Sequence, residues 1–217
     1  MDINENIIAA LEQHIREDSR TDKVLYTSEF FRSLQKYRPA YHFLADIISA
    51  HFKPSSLIDW GCGCGFILEK LKVNGVQDLY GIEGSKEVLE FIPASLKDDI
   101  CINDVLLANI GINIYDMAVS IEVAEHLAEK DSGKFVNSIC NSASEWIWFS
   151  AAQIGQKGTG HINCQPLSYW ESVFKEVGLF EPDWEMSYKI KSAMLQNHQV
   201  ILGFPWLRDN LIIWRKI

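Results

Sequence analysis

At 217 residues, 47% of them hydrophobic, the chain has the length of one domain with a single core, and its five cysteines are an odd number with no disulfide framework expected. A formal net charge of −9 argues against broad attachment to a nucleic acid backbone, which needs a basic face. No stretch approaches the roughly 18 apolar residues of a membrane span, and the acidic start MDINEN lacks the basic-then-apolar order of a signal peptide, so a cytoplasmic setting is expected.

Residues 1–53 read as a helical cap ahead of a main domain at 54–217. Ile3, Ile7, Ile8, Leu11 and Ile15 repeat at three and four residues, the pattern of an amphipathic helix. The stretch from about Pro39 to Phe52 does the same through Tyr41, Leu44, Ile47 and Ile48, with Pro39 placed for a first turn. Between them YTSEFFRSLQKYR is aromatic and polar together. It reads either as a cap with Tyr26, Phe30 or Phe31 against a ligand, or as an aromatic helix face packed on a sheet.

The organising stretch is Ser56 to Leu68. A short apolar run, Leu57 and Ile58, ends in Asp59 and passes into glycines at every second position, Gly61, Gly63 and Gly65. The run predicts a buried parallel strand, and Phe66, Ile67, Leu68 and Leu71 predict the helix that follows. Glycines allow positive φ and close approach of a ligand, and they are expected to leave amide N–H groups free at the helix N-terminus. Asp59 selects the ligand: a carboxylate there repels a pyrophosphate and suits a cation. The register D-x-G-x-G-x-G also differs from the dinucleotide fingerprint, since Phe66 falls where the third glycine of that fingerprint would stand. Cys62 and Cys64 have no second cysteine pair at zinc spacing and read as small residues beneath the ligand.

Strand and helix then alternate. Leu79 to Ile82 is a strand ending at Glu83-Gly84, and Glu83 stands 24 residues after Asp59, near the separation at which an acid accepts ribose hydroxyls. Ile100 to Asn103 is a third strand and Met117 to Ser120 a fourth, which runs into IEVAEHL. Trp146 to Ser150 is a fifth, followed by a glycine-rich loop that delivers His161. Ser168 to Val177 is a helix ended by Gly178, and Leu211 to Trp214 a last apolar strand. His126 and His161 both fall in loops at the C-terminal edge of the sheet, where open α/β sheets bind ligands, and imidazole titrates near neutrality. Each also reads as a histidine bonded to backbone. If the chain turns helical at Glu122, then Glu122, Glu125 and His126 share a face and, with His161, have the ligand types of a divalent metal site.

DWGCGCG resembles motif I of the class I S-adenosylmethionine-dependent methyltransferases, and YDMAVSIEVAEHL resembles motif IV of many small-molecule members. GTGHINCQPLSYW and PWLRDNLIIW are similar to a bacterial subgroup often associated with glycan or natural-product pathways. Trp60 and Phe66 depart from the pattern, each being bulkier than usual. The resemblance implies a Rossmann-like α/β fold: a seven-stranded, mostly parallel sheet with helices on both faces and the last strand antiparallel beside the fifth. It implies S-adenosyl-L-methionine as cofactor, with its methionine end at Asp59, Gly61, Cys62, Gly63 and Gly65, its ribose at Glu83 and Gly84, and its adenosine against Asp104, Val105 and Ile121. Asp104 also reads as a turn or helix-capping residue. The E-x-x-E-H arrangement with a later histidine also appears in small-RNA terminal 2′-O-methyltransferases, where it binds a metal, and a similar stretch occurs in ubiquinone-pathway O-methyltransferases. In other relatives the acidic residues only cap the helix and contact cofactor or water.

The expected reaction is methylation of a hydroxyl on a small molecule, sugar or glycan precursor, with His126 or His161 as base and Glu125 beside them. The alternatives are metal-assisted 2′-O-methylation of RNA, which the acidic charge disfavours, and S-adenosylmethionine binding without catalysis. A nicotinamide-dependent oxidoreductase ranks below both. Trp170, Trp184, Trp206 and Trp214 read either as rings that stack on an acceptor or as core.

Overall fold

A computed structural model describes residues 25–196 and 203–217; the helix expected through Ile3 and Ile15 lies outside these. The sheet is built from β1 (Ser56–Trp60), β2 (Asp78–Glu83), β3 (Ile100–Ile102), β4 (Tyr115–Ile121), β5 (Ala143–Ser150), β6 (Phe180–Pro182) and β7 (Ile212–Lys216). Its order is β3-β2-β1-β4-β5-β7-β6. The first five strands run parallel, and β7 pairs antiparallel with β5, Ile147 opposite Trp214 and Phe149 opposite Ile212. This is the Rossmann-like methyltransferase fold, with the antiparallel last strand in the expected place.

Around the sheet lie α1 (Ser28–Leu34), α2 (Arg38–His51), α3 (Phe66–Val73), α4 (Ser132–Ser142), α5 (Leu167–Val177), α6 (Trp184–Gln196) and the single turn α7 (Trp206–Asp209). Period-two alternation decides which residues meet which helices. Leu57, Met117, Val119, Trp148 and Ile213 form one face and pack with Leu44 and Ile48 of α2, Leu68 of α3 and Ile190 of α6. Ile58, Ala118, Ile147, Phe149 and Trp214 form the other, under Phe135 of α4 and Trp170 and Phe174 of α5. Trp214 stacks on Phe174 with ring centres 3.9 Å apart, so this tryptophan, like the fully buried Trp170, is core.

The two bulky departures also have packing roles. Trp60 is fully buried, lies edge-on to Phe135 and donates its indole N–H to Ser142 Oγ at 3.1 Å. Phe66 sits against Tyr41, with the Arg38 guanidinium over its ring. Strands 2, 4 and 5 extend beyond the segments read from sequence, and α4 and α6 escaped it because SGKFVNSIC and WEMSYKIK interrupt their apolar positions with polar ones. Gly178 closes α5 in the left-handed conformation, φ 71°, as expected for a C-terminal glycine.

Because β2 and β3 extend to one side of β1 and β4 begins the other side, the topological switch falls between β1 and β4. The loops leaving these strands are pressed together: a Cβ on Gly61 would stand 2.5 Å from Cγ2 of Val123. A crevice opens in front of this contact.

Candidate functional site

The crevice is a cavity of about 910 Å³. Its wall divides as the sheet does. Toward β1, β2 and β3 lie Asp59, Gly61, Cys62, Gly63, Glu83, Gly84, Asp104 and Val105; toward β4, β5 and β7 lie Ile121, Glu122, Glu125, His126, His161, Gln156, Lys157 and Trp206. The segment before the sheet closes it with Tyr26, Phe30, Tyr37 and Tyr41, and with Phe31, which is also core.

The glycine loop is tied down from within. Gly61 and Cys62 donate their N–H groups to Ile82 O at 2.8 and 2.9 Å, Gly63 donates to Glu83 Oε2 at 3.0 Å, and Gly65 to Cys62 O at 2.9 Å. The expectation of free amides is corrected for these four, while no side chain caps the N-terminus of α3. Amides already used cannot cradle a phosphate, because each carries one proton to share. Gly65 is corrected too: it is absent from the cavity wall and starts α3 at φ 73°, where a Cβ would stand 2.8 Å from Ile100 Cδ1. Gly63 is the open position, at φ 52° with nothing within 4 Å of its missing Cβ.

Asp59 is 4% exposed, and burial, reinforced by the nearby Glu83 carboxylate, pushes its carboxyl up to about 7. A cationic group placed against it would restore the charge. Glu83 is oriented by two amides, Gly63 N–H on one oxygen and Ser85 N–H on the other at 2.9 Å. Asp104 accepts the Leu106 N–H at 2.8 Å, which makes it a turn residue as well as a wall residue. Cys64 is buried and Cys62 lines the cavity, and burial holds both thiols high, Cys64 at about 12. Neither belongs to a metal-ligand cluster among the described residues.

Across the cavity the expected helical run from Glu122 is replaced by a sharper turn. Glu122 takes φ 55°, a conformation unusual for a residue with a side chain, and one 3-10 turn spans Ala124–His126. The side chain of Glu122 thus leaves the group it was expected to join. Its carboxylate accepts from Asn210 Nδ2 and from Gln156 Nε2, the latter at 2.7 Å. The three remaining side chains converge: ligating atoms of Glu125, His126 and His161 all lie within 4.8 Å of one another.

Backbone carbonyls orient both imidazoles. His126 Nδ1 donates to Gly160 O and His161 Nδ1 to Gln156 O, each at 3.1 Å, so each neutral ring presents the Nε2 lone pair. His161 Nε2 stands 3.8 Å from Glu125 Oε1. Burial lowers His126 to about 4, leaving it neutral at ordinary pH. Glu125 is fully buried; burial and then Glu122 raise it well above the carboxylate range, against a smaller lowering by the nearby amides of Glu125 and Ala152. Neither Glu125 oxygen has a partner at hydrogen-bond geometry among the described residues. A divalent cation fits such a buried orphan carboxylate beside two lone pairs.

Two glycines make this packing possible. A Cβ on Gly158 would overlap the His161 ring, and one on Gly160 would stand 2.9 Å from the Tyr26 hydroxyl and 3.4 Å from His126 Nδ1. Sequence reasoning missed Asn210 and Gln156, whose amides carried no motif signal of their own, and took Tyr41 only as an apolar helix position. Tyr41 lines the cavity; burial, then the carboxylates of Glu122 and Asp59, hold its hydroxyl well above the usual range.

The fold and this crevice define the class of architecture as that of Rossmann-like methyltransferases. No protein-family model and no curated protein matches the chain. It is similar in structure to a SAM-dependent methyltransferase from Archaeoglobus fulgidus (TM-score 0.57, 14% identity, 87% of this chain and 99% of that one). It is also similar to the phosphoethanolamine N-methyltransferase 2 of Haemonchus contortus solved with phosphomonomethylethanolamine and S-adenosylhomocysteine (0.57, 15%, 90% and 58%). The cyclase SpnF superposes as well (TM-score 0.51, 9% identity, 81% and 79%). At such identities the likeness is one of fold.

Proposed function

We propose that the protein is an S-adenosylmethionine-dependent methyltransferase acting on a hydroxyl of a small molecule. The observation that carries this reading is the pairing of Asp59 with Glu83 over a glycine loop four of whose amides are already used. Such a loop offers carboxylates to a cation and to hydroxyls while offering little to a phosphate. S-adenosylmethionine, when bound, supplies an electrophilic methyl group on a sulfonium and bears an ammonium group. Asp59 is the residue to neutralise that ammonium, Glu83 to accept the ribose hydroxyls, and Asp104, Val105 and Ile121 to flank the adenosine.

His161 is the proposed proton acceptor for the hydroxyl that reacts. Its Nδ1–H is fixed on Gln156 O, so its Nε2 takes the proton, with Glu125 Oε1 3.8 Å away. His126, lowered to about 4, is a poor acceptor at neutral pH and serves here as a wall and orienting group. The aromatic segment from Tyr26 to Tyr41 excludes water from the reacting atoms.

The convergence of Glu125, His126 and His161 favours a second form of the reaction, in which these three would hold a divalent cation that would supply Lewis acidity toward the acceptor hydroxyl. Methylation of an RNA 2′-hydroxyl by such a site is the weaker substrate reading, since Lys157 is the one lysine or arginine on the cavity wall among the described residues.

Calorimetric titration with S-adenosylmethionine and S-adenosylhomocysteine, on wild type and Asp59→Ala with NADH as control, tests the cofactor. Saturable binding weakened in the variant is expected; tight NADH binding without S-adenosylmethionine binding overturns the assignment. Turnover unchanged by chelators and by Glu125→Gln would leave the metal-free form alone.

A further inference from the structure

We propose that the acceptor half of the cavity takes an uncharged aromatic alcohol, a flat ring bearing the hydroxyl, in preference to a sugar or a phosphorylated compound. This rests on the reading of the site as a methyltransferase and narrows it to a substrate class.

The sheet order separates the two ligands. Asp59, Glu83 and Asp104 follow β1, β2 and β3 and serve the cofactor half. The acceptor half is what remains in front of β4, β5 and β7, beside His161. It offers an anion little: Lys157 is the one lysine or arginine on the cavity wall among the described residues, His126 is neutral, and the acids Glu122 and Glu125 bring no positive charge. A phosphate or carboxylate brought into that half would lose hydration with one lysine to compensate it.

Its hydrogen-bonding capacity disfavours a polyol. The Glu122 carboxylate is occupied by Asn210 and Gln156. Gln156 is committed at both ends of its amide, donating to Glu122 at 2.7 Å and accepting from Asn210 at 2.9 Å. A sugar displaces a water from each hydroxyl and needs a partner for each; Glu122 and Gln156 are already spent on one another and on Asn210.

Rings and apolar side chains are what the wall offers instead. Phe30 lies edge-on to Tyr26 at 4.9 Å on one side, and the wall residues Tyr37 and Trp206 both pack on Phe204, which lies outside the wall, at 4.6 and 5.7 Å. Phe30 and Trp206 are only partly buried although both lie on the cavity wall, so each keeps ring surface for a ligand. Aromatic faces at the margin and one proton acceptor at the floor match a planar ring whose hydroxyl reaches His161.

The test uses three probes on the full chain saturated with S-adenosylhomocysteine: 2-naphthol, 2-naphthyl phosphate and methyl glucoside, followed by saturation-transfer NMR and calorimetry. We expect 2-naphthol to bind saturably, the phosphate ester to bind at least about tenfold more weakly, and Trp206→Ala and Phe30→Ala each to weaken 2-naphthol by about tenfold. The S-adenosylhomocysteine affinity of both variants should match wild type, which shows that they are folded. Phosphate ester or glucoside binding as tightly as 2-naphthol, absence of 2-naphthol binding, or indifference of that binding to both substitutions overturns the proposal. Failure of S-adenosylhomocysteine to bind at the outset instead removes the cofactor reading beneath it.

Discussion

Asn210 donates its side-chain N–H to both carboxylate oxygens of Glu122, at 3.0 and 3.2 Å. The bond joins the segment leading into β7 to the left-handed turn that follows β4. Asn210 is 3% exposed, accepts from Gln153 Nε2 at 2.9 Å and donates to Gln156 Oε1, so one buried amide fastens three segments around the acceptor half. Asn210→Leu leaves the Glu122 carboxylate short of a donor, and a loss of about 1–3 kcal/mol is expected in chemical denaturation. Asn210→Asp should lose at least as much above pH 5, because it sets a second acid against Glu122. A variant as stable as wild type would show that the network carries no load.

Asp59 gives the unliganded protein a pH dependence of defined sign. Its carboxyl is raised from 3.8 to about 7 by burial and then by Glu83, so the folded chain holds this proton more tightly than the unfolded chain does. That contribution is complete below the ordinary value and is lost as pH rises through about 7. Asp59→Asn keeps the shape without the proton. Its stability relative to wild type should therefore rise between pH 4 and pH 8 in parallel denaturation series. A constant difference across that range would mean that Asp59 is ionised throughout.

Gly158 touches the His161 ring, and a Cβ there would overlap it. The ring is a side-chain terminus and can swing away, so Gly158→Ala should fold normally. Displacing the proton acceptor by about 1 Å costs on the order of a hundredfold in turnover. The expected result is a fall in kcat with S-adenosylhomocysteine affinity unchanged by calorimetry. A matching loss of cofactor affinity would place Gly158 in the cofactor half instead.

Two glycines of one loop should respond differently to the same change. Gly65→Ala sets a Cβ 2.8 Å from Ile100 and 3.0 Å from Leu96 at φ 73°, and should lower stability by about 1–3 kcal/mol. Gly63→Ala, at φ 52° in open space, carries only the backbone strain of about 1 kcal/mol, but points its methyl at the ligand and should weaken cofactor binding more than it weakens the fold. Thermal denaturation and calorimetry on both variants separate these effects.

Much of the architecture is written in local patterns. The run Leu57-Ile58-Asp59 and the glycines after it are contiguous, so the β1 turn, the α3 start and the acid at the strand end follow from residues that are neighbours in the chain. The same holds for Glu83 at the end of β2 and for Gly178 closing α5. The methyltransferase fold was therefore legible in the sequence, while the place of Tyr26 and Phe30 on the crevice wall was one of two readings left open there.

What the tertiary structure alone decided depends on residues distant in sequence. Whether an amide in the glycine loop is free depends on Ile82 and Glu83, which take it up. Whether Glu122 joins Glu125, His126 and His161 depends on Asn210, 88 residues away, which draws its carboxylate aside. The sequence determined the strand ends and the kinds of side chain that stand at them, because chain-local sterics and periodicity set these. The partition of the acids into a bound one, a buried orphan and a pair at the glycine loop was decided by the folded chain, because a carboxylate's charge and freedom depend on the groups that surround it in space.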